Sequence, residues 1–299
     1  MTPSSTGSLF ARRADAGRRL MSACCLCARR CGVDRLAGET GECRLGTTAR
    51  IASAFPHHGE EPILSGWRGS GTIFLSGCPL HCVFCQNHEI SHGDEGRDVG
   101  AEPLAMAMDM LVESGCHNLN FVTPSHLTPQ ILESLGLLVE RCRQALPPIV
   151  WNCGGYESPE SLALLYGLVD IYMPDFKFLD PRPAGRFLKA PDYGTVACAA
   201  VEEMFRQVGP VRFGPNGMLE RGVLVRHLVM PGFRDDTRHI LEWLASMFQD
   251  RIAVNVMGQY HPAGRAMQFP ELAHPLDRSE WAEAVRYARH LGLRNAERP

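Results

Sequence analysis

Thr72-Ile73-Phe74-Leu75-Ser76-Gly77-Cys78-Pro79-Leu80-His81-Cys82-Val83-Phe84-Cys85 is a short apolar run that passes directly into a loop holding three thiols. The run Thr72–Ser76 has the length and composition of a buried strand. Five more runs of this kind follow at Asn118–Val122, Ile149–Asn152, Val169–Met173, Gly222–Val229 and Ala253–Val256. Helical stretches are expected between or after them, near 102–115, 129–145, 158–167, 195–208, 235–248 and 278–291. Near-continuous apolar strands alternating with helices argue for a parallel sheet with crossover connections. Six units are too few to close an eight-stranded barrel. The expected fold is therefore α/β, a partial, TIM-like (β/α)6 barrel.

Each predicted strand runs into a polar or thiol-bearing loop. The later ones are Thr123-Pro124-Ser125-His126, Cys153-Gly154-Gly155-Tyr156, Pro174-Asp175-Phe176-Lys177, Pro231-Gly232 and Met257-Gly258-Gln259-Tyr260-His261. Parallel βα folds place their chemistry at the carboxyl ends of the strands, so these loops should converge on one site.

The chain has 299 residues, 45% of them hydrophobic and 21% charged, with a formal net charge of -3. That composition suits a globular protein with a sizeable core and gives no reason to expect a nucleic-acid or anionic-membrane partner. No apolar run reaches the ~20 residues that span a bilayer. Arg12, Arg13, Arg18 and Arg19 precede Cys24 without the apolar stretch of a secretory signal. A cytoplasmic location is expected, with residues 1–20 a disordered lead-in. Eight of the 12 cysteines fall before residue 86, in two tight groups. In a reducing compartment such clusters bind metal or serve catalysis.

Cys78, Cys82 and Cys85 are soft ligands suited to zinc or an iron–sulfur cluster. Three thiolates leave one metal position open, as catalysis requires; a closed zinc site completed by His81 or His88 is the structural alternative. At these residues the sequence resembles the radical S-adenosylmethionine superfamily, whose signature is this three-cysteine spacing with an aromatic before the last thiol. The resemblance implies a 4Fe-4S cluster that binds S-adenosylmethionine and cleaves it reductively to a 5′-deoxyadenosyl radical, with Phe84 beside the adenine.

Over residues 71–262 the chain most resembles the pyruvate formate-lyase activating enzyme and its relatives. Met173-Pro174-Asp175-Phe176-Lys177 is similar to that family's Met-x-Asp-x-Lys run, Val225-Arg226-His227 to its Val-Arg-x before Pro-Gly, and Tyr260-His261 to its late Tyr-His pair. This implies that Asp175, Lys177, Arg226 and His261 contact the cofactor. Asn152-Cys153 stands where the family has an Asp-Thr pair lining a cation site. Thr123-Pro124-Ser125-His126 replaces the superfamily's Gly-Gly-Glu, leaving Ser125 or the local backbone to hold the cofactor's amino group. The residue chemistry agrees independently: Asp175 can accept from an ammonium, and Arg226 can grip a carboxylate at two points. An intra-loop ion pair is the structural alternative for Asp175 and Lys177, and simple strand alternation is that for Arg226.

Residues 21–50 read as a small loop-rich module, with residues 51–299 forming the barrel domain. Cys24, Cys27, Cys31 and Cys43 are a complete ligand set for zinc or a second cluster, with Arg29, Arg30 and Arg35 to offset the charge. His57-His58 with Glu60-Glu61 have three readings, an approach to the active site, a metal site or a solvated loop, and the solvated loop is the one expected. Function is then hydrogen abstraction, fed by a reducing electron donor such as flavodoxin or ferredoxin. The target is a glycyl radical enzyme, or else a peptide or small molecule. A non-catalytic metal-binding or electron-transfer protein is the competing class.

Overall fold

A computed structural model describes residues 3–142 and 145–295. The strands are β1 (Ala49–His57), β2 (Ser70–Leu75), β3 (Arg97–Val99), β4 (Leu119–Val122), β5 (Ile149–Cys153), β6 (Ile171–Pro174), β7 (Arg212–Phe213), β8 (Leu219–Leu228), β9 (Ala253–Met257) and β10 (Arg294–Asn295). The helices are α1 (Pro3–Arg19), α2 (Pro62–Ser65), α3 (His88–Ser91), α4 (Ala101–Glu113), α5 (Thr128–Arg141), α6 (Pro159–Leu165), α7 (Pro181–Leu188), α8 (Tyr193–Val208), α9 (Arg234–Phe248) and α10 (Arg278–His290).

Strands β2, β4, β5, β6, β8 and β9 lie side by side in chain order, every neighbouring pair parallel. These are the six expected strands, and the sheet stays open. One edge ends in β10, and the other is extended by β1 and β3, both antiparallel. The thiol-bearing segment 21–50 runs into the main sheet, where β1 begins at Ala49.

Side-chain alternation layers the barrel. On the outer face Ile73, Phe121, Trp151, Tyr172, Val223 and Val254 pack against the helices. On the inner face Val150, Ile171, Leu224 and Ala253 form an apolar lower layer with Ile63 and Leu64 of α2. The β1–β2 connection thus plugs the amino-terminal mouth of the barrel. Above that plug the inner positions turn polar: Asn120, Asn152, Arg226 and Asn255.

The lead-in expected to be disordered is helical where it is described. Helix α1 lies along α5 and α6, burying Phe10 and Ala14. Gly17 brings the helix so close to Pro129 that a Cβ there would stand 2.8 Å from its ring. Its arginines turn outward, Arg18 pairing with Glu133 and Arg13 donating to the Ala163 carbonyl over 2.7 Å. One small-residue face is sufficient to dock a helix otherwise dominated by charge.

Candidate functional site

The loop after β2 is held by its apolar residues. Leu80, Val83 and Phe84 are buried, and the backbone N–H of Val83 donates to the Phe187 carbonyl at 2.9 Å. The Phe84 ring packs edge-on against Phe178 and Tyr260, at 6.1 and 6.4 Å between centroids. Gly77 takes φ +77°, and a Cβ there would lie 2.6 Å from the Cys43 carbonyl. With its apolar side chains pegged inward, the loop presents Cys78, Cys82 and Cys85, all half-buried, to a cavity of about 250 Å³. Burial raises the Cys78 thiol and pushes Cys82 up to about 12, against the pull of Lys177.

The same cavity is lined by Thr123, Asn152, Asp175, Lys177, Arg226 and Gln259, from the carboxyl ends of β4, β5, β6, β8 and β9. Asp175 is gripped from two sides, by Lys177 Nζ at 2.6 Å and Arg226 Nε at 3.0 Å. Burial alone would raise its carboxyl, but these two cations hold it below the usual carboxylate range. Arg226 Nη2 donates to Asn152 Oδ1 at 2.7 Å. The buried Tyr193 hydroxyl fixes this corner: it donates towards the Gly154 and Asp175 carbonyls and accepts from the Lys177 N–H. His227, buried behind Arg226, lies 2.7 Å from the Phe176 carbonyl and 3.0 Å from Thr237 Oγ1. Burial lowers its imidazole to about 4, so it is neutral and structural.

Two expected site residues lie elsewhere. Ser125 sits in a 3-10 turn that carries it away from the cavity, and its hydroxyl donates to buried Glu157. Thr123, held at φ +59°, faces the cavity in its place. His261 is exposed beyond the cavity wall, 3.4 Å from Gln86 Nε2, while Gln259 forms the lining. His126 is buried, its Nε2 3.0 Å from the Ser76 carbonyl, and burial lowers it to about 4.

Glu60 and Glu61 correct the expectation of a solvated loop. Glu61 is buried and accepts from Asn255 at 2.9 Å. Glu60 approaches Arg226 Nη1 at 3.8 Å and accepts from Asn120 at 3.3 Å. They ride on the plug, beneath the cavity. Burial pushes the Glu60 carboxyl up to about 7, partly countered by Arg226. An acid whose folded pKa is raised contributes stability below its unfolded pKa, and that contribution fades as pH climbs through the folded value. Glu60→Gln should therefore gain on the wild type between pH 5 and pH 8, by up to roughly 3 kcal/mol in denaturant unfolding.

The amino-terminal thiols gather beside this loop. Cys24, Cys27 and Cys43 are buried and Cys31 half-buried, and the four are mutual electrostatic neighbours. Among the described residues no three His, Cys, Asp or Glu side chains meet as the ligands of a single ion. Of the three arginines expected to balance charge, Arg35 reaches a thiol directly, its Nη1 3.9 Å from Cys24 Sγ, and Arg30 acts electrostatically on Cys25 and Cys27. Arg29 donates to the Pro79 carbonyl at 2.6 Å, and Arg30 pairs with Glu160. Arg35 is fully buried and also donates to the carbonyls of His126 at 2.7 Å and Gly46 at 2.6 Å. Arg35→Met would leave both carbonyls unpaired, so a loss of about 3 kcal/mol is expected in equilibrium unfolding.

The chain is similar to known proteins in three respects. Residues 65–173 match the family model of a 4Fe-4S single cluster domain. That span includes Cys78, Cys82 and Cys85 and runs from the end of α2 through most of β6. An uncharacterized protein of Methanocaldococcus jannaschii is 29% identical over 297 residues, covering 96% of this chain and 80% of its own. Crystal structures of Streptococcus suis SuiB bound to precursor peptide SuiA and bound to S-adenosylmethionine each give a TM-score of 0.46, at 12% and 11% identity. The overlay covers 73% of this chain but only 46% and 47% of theirs, so the chain spans less than half the length of those proteins.

Proposed function

We propose that this chain is a radical S-adenosylmethionine enzyme, with Cys78, Cys82 and Cys85 holding a 4Fe-4S cluster. The observation that carries the reading is one cavity, at the carboxyl ends of six parallel strands, lined by three thiols and a row of fixed opposite charges. The donor set fits. Three soft thiols spread around a cavity suit a multi-iron group, which distributes its ligands over several metal atoms. The match of residues 65–173 to a single-cluster 4Fe-4S model supports the same group. When bound and reduced, that cluster supplies the electron that cleaves the cofactor's sulfonium.

The chain's own residues do the rest. Asp175 accepts from the cofactor's ammonium, and Arg226 turns its free N–H groups to the carboxylate. Lys177 keeps Asp175 ionised and adds positive charge beside the thiolates. Phe84 offers an apolar face to the adenine, wedged by Phe178 and Tyr260. Thr123 takes the polar contact first assigned to Ser125. The loop resemblances to the pyruvate formate-lyase activating enzyme support abstraction from a protein glycine, with an acidic carrier such as flavodoxin or ferredoxin as electron source. Cys24, Cys27, Cys31 and Cys43, which do not meet as the ligands of a single ion among the described residues, are the candidate thiols for a second metal group.

The test is metal, sulfide and product analysis of anaerobically reconstituted protein. Four irons and four sulfides at the central site, with 5′-deoxyadenosine formed from S-adenosylmethionine on reduction, support the reading. Zinc without sulfide overturns it. Zinc beside four irons, or a total near eight irons, identifies the metal of the amino-terminal thiols.

A further inference from the structure

The outer side of the cysteine loop carries a second cavity, of about 290 Å³. Cys82 lines both cavities, so this residue is the wall between them. The outer cavity is rimmed by Arg44, Lys189 and Arg265, all exposed, and by His81, His88 and His92. No carboxylate lines it. The neighbouring acids Glu42, 2.5 Å from His81 Nε2, and Glu89, 2.9 Å from His88 Nε2, stand at its edge without lining it. Among the described residues Arg44, Lys189 and Arg265 join no ion pair; Arg44 is pinned by the His92 and Gly93 carbonyls.

Three cations without ion-pair partners on one rim are a local concentration of positive charge on a chain of net charge -3. Like charges crowded together without partners are disfavoured unless an anionic surface meets them. The three come from separate segments: the thiol-rich module, the turn after α7 and the loop after β9. Cys82, in the middle of the cysteine loop, is the residue this cavity shares with the inner one.

We infer that this rim is the docking surface for an acidic electron-carrier protein, which delivers its electron across the Cys82 wall. The inference rests on the cluster proposed above. Charge complementarity sets the association rate of such encounters and makes them salt-dependent.

The test follows cluster bleaching in the reconstituted protein under two reductants. One is reduced flavodoxin, an acidic protein; the other is photoreduced 5-deazariboflavin, small and without net charge. The Arg44→Glu/Lys189→Glu/Arg265→Glu variant should be reduced by flavodoxin about 100-fold more slowly at low ionic strength. Raising salt should slow the wild type and leave the variant little changed, with deazariboflavin reducing both alike. Single alanine variants should fall between. Equal flavodoxin rates in wild type and variant would overturn the inference. So would a variant slowed equally with both reductants, which would assign the rim to loop integrity or to an anionic small ligand. A wild-type protein that assembles no reducible cluster would instead fail the parent reading, and the docking surface with it.

Discussion

Cys82→Ala should abolish 5′-deoxyadenosine formation and leave reconstituted protein without a full complement of four irons at the central site. Cys82 is the middle thiol of the loop, and it lines both the inner and the outer cavity. The loop's conformation does not depend on the thiol. Leu80, Val83 and Phe84 are its buried anchors, and its backbone is tied to Leu188, Phe187 and Arg265. The metal-free variant should therefore unfold within about 1 kcal/mol of the metal-free wild type. Retained fold with lost cleavage assigns the thiol to the cluster. Cleavage at the wild-type rate would assign the loop to structure and remove the basis of the proposed function.

The parallel strands were legible because burial on both faces makes them nearly uninterrupted apolar runs. β1 was not read, because it lies between the main sheet and short β3 and mixes Ser53 and His57 with its apolar residues. Glu60 and Glu61 show why composition misleads locally. Two acids after His57-His58-Gly59 resemble solvent-facing chain, and only the tertiary arrangement turns them inward. A signal did exist: they abut Pro62-Ile63-Leu64, an apolar stretch too short to stand alone and directly before a strand. Ser125 was misplaced because position relative to a strand end does not specify direction. The chain leaves β4 through the left-handed Thr123, and that one residue decides which side chain enters the cavity.

The plug also explains how a barrel with an open sheet keeps a charged centre dry enough to matter. Its apolar tip fills the lower layer with Val150, Ile171 and Leu224, while its acids meet Arg226, Asn120 and Asn255 above. Arg226 therefore stands between two carboxyl groups, Asp175 at the side and Glu60 below. Fixed dipoles and charges of this kind cost no reorganisation when a charged ligand arrives. From the other side, Arg29 and Arg35 fasten the thiol-rich module to Pro79 and His126, so both walls of the cysteine loop are braced.

Arg226→Ala should be the most damaging change outside the cysteines, in two separable ways. Arg226 pairs with Asp175 at 3.0 Å and binds Asn152 at 2.7 Å, with 18% of its side chain exposed. Deleting a partner of a buried ion pair leaves the other charge uncompensated, so unfolding should cost about 3–5 kcal/mol less. Removing the two-point donor for a carboxylate should also weaken S-adenosylmethionine binding by about 100-fold or more. Arg226→Lys separates the effects. It keeps the charge beside Asp175 and should recover most of the stability, but an ammonium cannot reproduce the fork, and the binding loss should largely persist. Calorimetric titration with S-adenosylmethionine, run beside denaturant unfolding of the same variants, reads both quantities. If the lysine variant binds like the wild type, Arg226 serves the fold through Asp175, and the carboxylate contact must come from another donor, Lys177 being the nearest cation.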